Sequence, residues 1–419
     1  MRILVSAYSC EPNRGSEPGI GWEWCYQFAS LGNETWAITR GASRAPIEAA
    51  LKDSMTDSNL RFVYYDFPFL ARWLKDGERG QYLYYFIWQC GVYWVARKLH
   101  RKINFDAVQH ITFGSIRLPS FLGALGVPFI FGPAGGGEYA PMALRKMFGL
   151  RGQIIDLLRD ISNFWIRIDP LMRYVFASAR LIYVTTAQSY ALIPHRYKFK
   201  AKIRLKIGSE EAKIVSEGRK LKGGSIRLLY IGRFLYWKGM GLGILAFARA
   251  REKNPKLQLT ICGSGSAERS WRRLTESLGI SQHVQWVGWM PQTELDAVYE
   301  SHDIFLFPSL HDSGGVVVHE ALSRAMPVIC LDLGGPGLVV DDSCGFAIGT
   351  AGVRFDDVVR DLAHAIQKAV STPEVYEKLS RGARLRALAL TSRKLIQAVI
   401  LESCADIHSD GTLNISHER

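Results

Sequence analysis

The sequence predicts an α/β protein of two doubly wound, Rossmann-like domains facing each other across a cleft. Short apolar runs bounded by glycine or proline recur along its 419 residues, and each is followed by a loop and an amphipathic segment. This alternation is typical of buried parallel strands connected by helices. It occurs in both halves of the chain, and a chain of this length is long for one domain. Two domains of roughly 200 residues each are therefore expected.

Composition and charge narrow the range of partners. The apolar fraction of 48% is ordinary for a globular protein, but the net charge of +13 predicts an anionic partner such as a nucleotide phosphate, a lipid head group or nucleic acid. Nucleic acid is the least favoured, because no recognised binding module is present. No segment reaches the ~20 apolar residues of a membrane-spanning helix, and the N-terminus is better interpreted as a strand than as a signal peptide.

The seven cysteines form no CxxC pair and no metal-ligand spacing. Several of them lie in apolar runs, as reduced thiols in a core do, which indicates a reducing compartment. We therefore expect a cytoplasmic protein without a bound metal or cofactor, either free or peripheral on the inner face of the plasma membrane.

The first half begins with a strand at Met1–Ala7, a loop over residues 9–21 that contains Gly19, and a helix from Trp22 to Leu31. A strand that leads into a glycine-rich turn and a helix can cradle a phosphate. An ordinary surface loop is the alternative.

Two further strands of this half end in candidate site residues. The strand at 106–111 is expected to bring His110 to its carboxyl end, where an α/β sheet keeps its ligands. The strand at 128–131 leads into Gly136, Gly137 and Glu138, which we interpret as acceptor-side candidates where a ligand approaches the backbone closely.

Three other segments of the chain suggest structural roles. The aromatic stretch 81–100 fits a buried crossover helix, a helix on a membrane surface or an aromatic wall for the acceptor, and the buried helix is favoured. Residues 142–178 are amphipathic and helical and are expected to cover the first domain. Residues 196–222 carry ten lysines and arginines against three glutamates, which fits a solvated connection or a lipid-binding patch.

The second half opens with a strand that ends at Gly232, and Arg233 and Lys238 follow in the turn before a helix. Two cations at a strand-to-helix turn can bind a diphosphate. The next strand ends in a second glycine turn, Gly263 and Gly265.

The stretch from Asp303 to Val340 carries the chemistry of this half. A strand at 304–307 leads into a loop with Asp312, Gly314 and Gly315, and Val316 begins a helix that contains Glu320. A helix start attracts phosphate, whereas carboxylates accept hydrogen bonds from hydroxyls. A phosphate site beside carboxylates that bind hydroxyls is what a sugar nucleotide requires. The alternative is that Asp312 caps the helix and Glu320 is solvated.

Taken together and in order, these motifs resemble those of the GT-B glycosyltransferases, specifically the retaining family numbered four (glycosyl transferases group 1). The motifs are Gly-Arg with Lys-Gly at 232–239, Gly-x-Gly at 263–265, and two acids separated by seven residues before Ala and Pro-Val-Ile at 312–329. The likeness is strongest over 226–348.

The resemblance implies a role for each matched residue. Arg233 and Lys238 would bind the donor diphosphate and stabilise the leaving nucleotide, and Glu320 would hold the ribose hydroxyls. Asp312 would contact the transferred sugar, with the amides near Gly315 and Val316 on the phosphate. His110 would lie beside the sugar, and Gly19 resembles the N-terminal glycine loop. A donor phosphate oxygen would take the acceptor proton, so no metal is implied.

The resemblance also implies a division of the chain. We expect an acceptor-binding domain at 1–205, a linker at 206–224, a nucleotide-sugar-binding domain at 225–385, a helix at 386–406 that crosses back to the first domain, and a disordered tail at 407–419. The family's Asn-Gly at the domain connection is absent. Asp312 replaces the usual glutamate, which shortens its reach by roughly 1.5 Å and could cost about 10²-fold in rate if uncompensated.

The leading hypothesis is a cytoplasmic transferase that moves a sugar from a nucleotide diphosphate to a hydroxyl of a glycan or lipid-linked acceptor, in the synthesis of a cell-surface polysaccharide. Two alternatives stay open: a sugar-nucleotide-binding scaffold subunit without turnover, and a sugar-nucleotide epimerase of the same fold. The base, the sugar and the acceptor are not determined by the sequence.

Overall fold

The apolar runs form two sheets in which every described strand pair is parallel. One sheet has seven strands and the other has six. Strands such as Ile304–Phe307 and Val328–Leu331 are buried at every residue, as expected when helices cover both faces of a sheet. The predicted α/β class with two doubly wound domains is confirmed.

The structure is a computed structural model that describes residues 1–53, 59–67, 78–221 and 223–413. The chain divides into two units, each containing one sheet. The first unit comprises Met1–Gly137, Ser162–Ile207 and the chain from Ser392 onward, and the second comprises Glu138–Ile161 and Gly208–Thr391. The second unit therefore includes a segment from the middle of the predicted first domain.

The strands and helices of the first unit alternate along the chain. Its strands are β1 Arg2–Ala7, β2 Glu34–Thr39, β3 Leu60–Tyr64, β4 Ala107–Thr112, β5 Phe129–Ala134, β6 Leu181–Val184 and β7 Ala201–Ile203. Its helices are α1 Ser16–Ser30, α2 Arg44–Asp53, α3 Glu78–Ile103, α5 Pro170–Ser178, α6 Ala187–Leu192 and α14 Ser392–Leu413. Helix α4, Leu150–Trp165, begins in the second unit and ends in the first.

The second unit repeats the pattern. Its strands are β8 Ile226–Ile231, β9 Leu257–Cys262, β10 Val284–Val287, β11 Ile304–Phe307, β12 Val328–Leu331 and β13 Gly345–Ile348. Its helices are α7 Met240–Lys253, α8 Glu268–Ser277, α9 Leu295–Glu300, α10 Val316–Ser323, α11 Gly334–Val339, α12 Phe355–Ala369 and α13 Pro373–Ala389. The strand order is β3-β2-β1-β4-β5-β6-β7 in the first sheet and β10-β9-β8-β11-β12-β13 in the second.

The aromatic segment of the first unit forms a buried helix. Tyr84, Tyr85 and Trp88 of α3 lie in the core on one face of the first sheet. The favoured interpretation of residues 81–100 is confirmed for this side of the helix, whereas Tyr82 and Trp94 are exposed. On the other face, α14 contributes Ile396 and Val399 to the same core as α1. The closing helix thus packs on the first unit. It continues to Leu413, seven residues into the predicted tail, and residues 414–419 lie outside the described part of the chain.

The expectation of a solvated connection over residues 196–222 is wrong in part, because several of its basic residues are packed. Ala201–Ile203 forms β7, the edge strand of the first sheet. Lys206 is buried and forms an ion pair with Glu17 of α1. Arg219 donates to the backbone carbonyls of Tyr299, His302 and Arg324 in the second unit.

The N-terminal glycines support packing inside the first unit. Helix α1 begins at Ser16, six residues before the predicted start, so Gly19 lies inside the helix and not in a loop. A Cβ at Gly19 would lie 1.9 Å from the carbonyl oxygen of Arg14. Glycine is needed there because the loop before the helix folds back onto its first turn.

We expect acid to destabilise the protein partly through His110. Burial, reinforced by the charge of Lys206, lowers the pKa of its imidazole to about 3, compared with ~6.5 for a free histidine. Between these values only the unfolded chain binds the proton. The contribution of His110 to the free energy of unfolding is therefore complete above about pH 6.5, and it falls by about 1.4 kcal/mol per pH unit on acidification.

His110→Gln should reduce the slope of unfolding free energy against pH by about that amount between pH 6.5 and 4.5, measured by denaturant unfolding followed by circular dichroism. His364→Gln, at an exposed position of α12, is the control and should leave the slope unchanged. An unchanged slope in His110→Gln would contradict the assignment.

Candidate functional site

The predicted donor residues of the second unit come together at one edge of its sheet. Strand β8 lies between β9 and β11, so the loops that follow these three strands are neighbours. They carry Arg233 and Lys238, the turn Gly263–Gly265, and Asp312. The strand order reverses between β8 and β11, which makes the gap between the loops after them the switch point of the sheet. Ligands of open α/β sheets bind at such a point.

Lys238 and Asp312 form an ion pair across this point. The Lys238 Nζ lies 2.6 Å from Asp312 Oδ2, and the two side chains are only 14% and 17% exposed. The ammonium group also lies 5.2 Å from the ring centroid of Phe307, the last residue of β11. Since an ammonium has three N–H donors, two of them remain for a ligand.

The Asp312 carboxylate also accepts two backbone hydrogen bonds. Its Oδ1 accepts from the amides of Gly314 at 3.1 Å and Gly315 at 2.7 Å. Burial alone would raise the pKa of Asp312, but the charge of Lys238 and these hydrogen bonds outweigh it and hold the pKa below its usual value. The carboxylate is therefore ionised. It accepts hydrogen bonds from amides in the stretch that was predicted to bind a phosphate. Helix α10 has no side-chain cap at its start at Val316.

Glycines allow the edge loops to pack directly on one another. Gly239 has φ +67°, and a Cβ there would lie 2.0 Å from the carbonyl oxygen of Pro308 at the end of β11. Likewise, a Cβ at Gly263 would lie 2.0 Å from the carbonyl oxygen of Gly232, and one at Gly265 would lie 2.5 Å from that of Phe234. These contacts fix the loops that carry Arg233 and Lys238.

Arg233 is exposed, unlike Lys238. Its carbonyl accepts a hydrogen bond from the buried Tyr230 hydroxyl at 3.1 Å, which fixes the backbone of the turn. Among the described residues its guanidinium has no ion-pair partner. It is therefore a cation available to a ligand.

Glu320 lies further along α10 and is held by two neutral donors. Gln292 Nε2 donates to its Oε1 at 2.6 Å, and the Tyr299 hydroxyl donates to its Oε2 at 2.8 Å. Burial raises the pKa of Glu320, and the two hydrogen bonds offset part of this rise. Each carboxylate oxygen keeps a further lone pair for a ligand hydroxyl. Glu320 is not a solvated surface residue.

A buried polar cluster beside the Asp312 loop was not predicted from the sequence. His311 Nε2 lies 3.0 Å from Asp156 Oδ2, and Arg145 Nε lies 3.5 Å from the same oxygen. All three side chains are at most 9% exposed. Asp156 belongs to a segment predicted as part of the first domain. The signal available in the sequence was a carboxylate between Ile155 and Leu157 in an otherwise apolar stretch.

His110, predicted for the site, lies inside the core of the first unit. Its side chain is fully buried two residues before the end of β4, with Nε2 3.0 Å from the Tyr85 hydroxyl and Nδ1 3.3 Å from Ser6 Oγ. It stacks on Phe131. The strand brings His110 near its carboxyl end as expected, but the imidazole is fully buried against Tyr85 on the α3 side of the core. Its predicted position beside the sugar stays a prediction.

The acceptor-side candidates are divided between the two units along the chain. Gly136, with φ +94°, and Gly137 belong to the first unit, whereas Glu138 is buried and belongs to the second. A Cβ at Gly137 would lie 2.8 Å from Ser189, whose hydroxyl accepts the Gly137 amide at 3.2 Å. Close packing inside the protein accounts for this glycine.

Within the described ranges, no group of three or more His, Cys, Asp or Glu side chains is arranged to hold a metal ion. Over the same ranges, no helix combines the length and hydropathy needed to cross a bilayer.

Comparisons with solved structures agree with the class of protein that the two sheets define. The structure of HepE from Anabaena, solved in complex with UDP, superimposes with a TM-score of 0.59 at 14% sequence identity and covers 97% of this chain and 100% of that one. The chain thus has the GT-B fold, as predicted.

A model of the family Glycosyl transferases group 1 matches residues 213–386, which carry the edge loops described above. The predicted resemblance to glycosyl transferases group 1 is therefore confirmed for this part of the chain.

Curated relatives match parts of the chain. Glycogen synthase from Mycobacterium tuberculosis is 28% identical over 180 residues, 43% of this chain and 42% of that protein, so the match spans about two fifths of the relative's length. The putative colanic acid biosynthesis glycosyltransferase WcaL from Escherichia coli K12 is 23% identical over 339 residues, 75% of this chain and 82% of that protein.

We expect Gly239→Ala to destabilise the second unit more than an ordinary substitution of a left-handed glycine. Alanine at φ +67° is strained and its Cβ meets the Pro308 carbonyl, so a loss of about 1–3 kcal/mol beyond the backbone term is expected. Gly279→Ala is the matched control, since Gly279 has φ +66° and nothing within 4 Å of its Cβ position. Equal losses in denaturant unfolding would refute the loop contact.

Proposed function

We propose that the protein transfers a sugar from a nucleotide-diphosphate donor to an acceptor hydroxyl, with retention of the anomeric configuration. The observation that carries the proposal is the position of Lys238, a shielded ammonium at the switch point of the second sheet, with spare N–H donors. Arg233, exposed in the same loop, supplies a second cation. Two cations at this edge can bind the two phosphate groups of a diphosphate.

In the proposed reaction the acceptor oxygen forms a bond to the anomeric carbon as the bond from that carbon to the diphosphate oxygen breaks. Negative charge then develops on the departing nucleoside diphosphate. Lys238 and Arg233 stabilise that charge, and they do so without reorganising because their loop is fixed by Gly239 and Tyr230. The acceptor proton passes to an oxygen of the departing diphosphate.

Glu320 binds the ribose hydroxyls in this proposal. Its carboxylate is oriented by Gln292 and Tyr299, and its remaining lone pairs accept hydroxyl protons. Asp312 positions Lys238 through their ion pair and lies where it can also meet the transferred sugar. Lys238 and the amides of Gly314 and Gly315 hold the Asp312 carboxylate in place. This fixed position compensates for the shorter reach of aspartate compared with glutamate.

The acceptor is proposed to be a hydroxyl of a glycan or a lipid-linked saccharide in cell-surface polysaccharide synthesis at the inner face of the plasma membrane. Support comes from the name of WcaL, a putative glycosyltransferase of colanic acid biosynthesis aligned over 75% of this chain. HepE was solved with UDP, which makes a uridine nucleotide the first donor to test. Two protein cations neutralise the diphosphate, so turnover should withstand EDTA.

Lys238→Ala, Arg233→Ala and Glu320→Gln should each lower transfer by about 10²–10³-fold while the fold stays intact, because each removes a contact that strengthens as the nucleotide leaves. The assay combines UDP-, GDP- and ADP-sugars with a panel of acceptors, and proton NMR reads the anomeric configuration of the product. Lys253→Ala is the control. Lys253 ends α7 at the opposite edge of the sheet, so its variant should retain full activity.

Undiminished transfer in all three site variants would overturn the proposal. Diphosphate binding without transfer or hydrolysis of any donor would favour the scaffold subunit, and isomerisation of the donor without an acceptor would favour the epimerase. A product with inverted anomeric configuration would refute retention but not sugar transfer.

A further inference from the structure

Helix α4, Leu150–Trp165, exposes its apolar face. The large side chains of this face recur at helical spacing and form one stripe along all four turns. They are Leu150, Ile154, Leu157, Leu158, Ile161, Phe164 and Trp165, with exposed fractions of 77%, 51%, 57%, 60%, 57%, 65% and 58%.

The opposite face of the same helix is polar and buried. Asp156 is held by His311 and Arg145 of the second unit. Asn163 accepts a hydrogen bond from Arg117 of the first unit and donates to the Gly137 carbonyl at 3.3 Å. These contacts fix the rotation of α4 about its axis, so turning the apolar stripe inward would leave buried polar partners unsatisfied.

Exposure of so continuous an apolar stripe marks a binding surface. Residues 142–178 were predicted to cover the first domain. In α4 it is the polar side that contacts the rest of the protein, and the apolar side is exposed.

The exposed charges of residues 146–173, on and beside α4 in the sequence, are positive. The acids of this region are engaged: Asp156 is buried, Asp160 pairs with Arg145, and Asp169 caps α5. Lys146, Arg151, Arg167 and Arg173, by contrast, are exposed. Cations beside an apolar stripe complement anionic lipid head groups above acyl chains, and they would repel an equal surface on a second copy of the chain.

We propose that the exposed face of α4 binds the surface of an anionic lipid bilayer, with the helix lying in the plane of the interface. The two segments that the sequence suggested for this role serve other purposes. Tyr84, Tyr85 and Trp88 of α3 are in the core, and its exposed Tyr82 and Trp94 are isolated from each other and form no continuous stripe. Lys206 and Arg219 of the basic segment are engaged with protein groups. The proposal does not depend on the transfer reaction.

The test is sedimentation of the full-length protein with vesicles. The wild type should bind vesicles of phosphatidylglycerol and phosphatidylcholine at least tenfold more tightly than vesicles of phosphatidylcholine alone. The double variant Leu157→Gln/Ile161→Gln should lose at least tenfold in affinity. Arg151→Gln should weaken binding and reduce its dependence on salt.

Two matched controls come from other exposed positions of the chain. Leu385→Gln removes an apolar side chain that is 59% exposed on α13, and Lys253→Gln removes an exposed cation. Both should bind vesicles as the wild type does. Binding of UDP, GDP and ADP should be unchanged in every one of these variants, so the membrane result is independent of the donor site.

Vesicle affinity that is unaffected by the α4 double variant would overturn the proposal, as would equal affinity for anionic and neutral vesicles. Light scattering provides the other decisive outcome. A dimer that the double variant converts to monomer, together with no vesicle binding, would show that the stripe is an interface between two copies of the chain.

Discussion

The contact between Lys238 and Asp312 is the interaction on which the candidate site depends. It joins the loop after β8 to the loop after β11, and it does so where the strand order of the second sheet reverses. A shielded ammonium would be costly without a partner. Asp312 supplies that partner, and the amides of Gly314 and Gly315 hold the carboxylate in turn. The cation is therefore in place before any ligand arrives.

The backbone around this pair gives it rigidity. Gly239, Gly263 and Gly334 each lie against a carbonyl oxygen of a neighbouring loop, and a Cβ at any of them would come within 2.0 Å of that oxygen. The loops after β8, β9, β11 and β12 consequently form one layer of main chain. Side chains mounted on such a layer hold their geometry without help from the ligand, which favours stabilisation of charge that develops during a reaction.

Much of this arrangement could be predicted from the sequence, because it follows from local pattern. Apolar runs predicted parallel strands, and the turns after them bring Arg233, Lys238 and Asp312 to one edge, as strand topology requires. Glu320 follows in the helix that starts after the Asp312 loop. Long-range contacts could not be predicted in the same way. The pairing of Lys206 with Glu17, the burial of His110 under Tyr85, and the cluster of His311 with Asp156 each join residues more than 20 positions apart.

The exposed face of α4 shows another limit of periodicity. A helical repeat of apolar residues indicates that a helix has an apolar side, but it does not say whether that side faces a core or a bilayer. The decisive information here is the burial of Asp156 and Asn163 on the other side. Only their partners, which come from distant parts of the chain, reveal which way the helix faces.

Hydrogen–deuterium exchange in the presence of a saturating nucleoside diphosphate tests the central claim most directly. If Lys238 and Arg233 bind the diphosphate at the switch point, exchange should slow in peptides that cover residues 232–239 and 311–317, and the corresponding nucleoside without phosphates should protect them far less. Tight binding that leaves both loops exchanging as in the free protein would contradict the account.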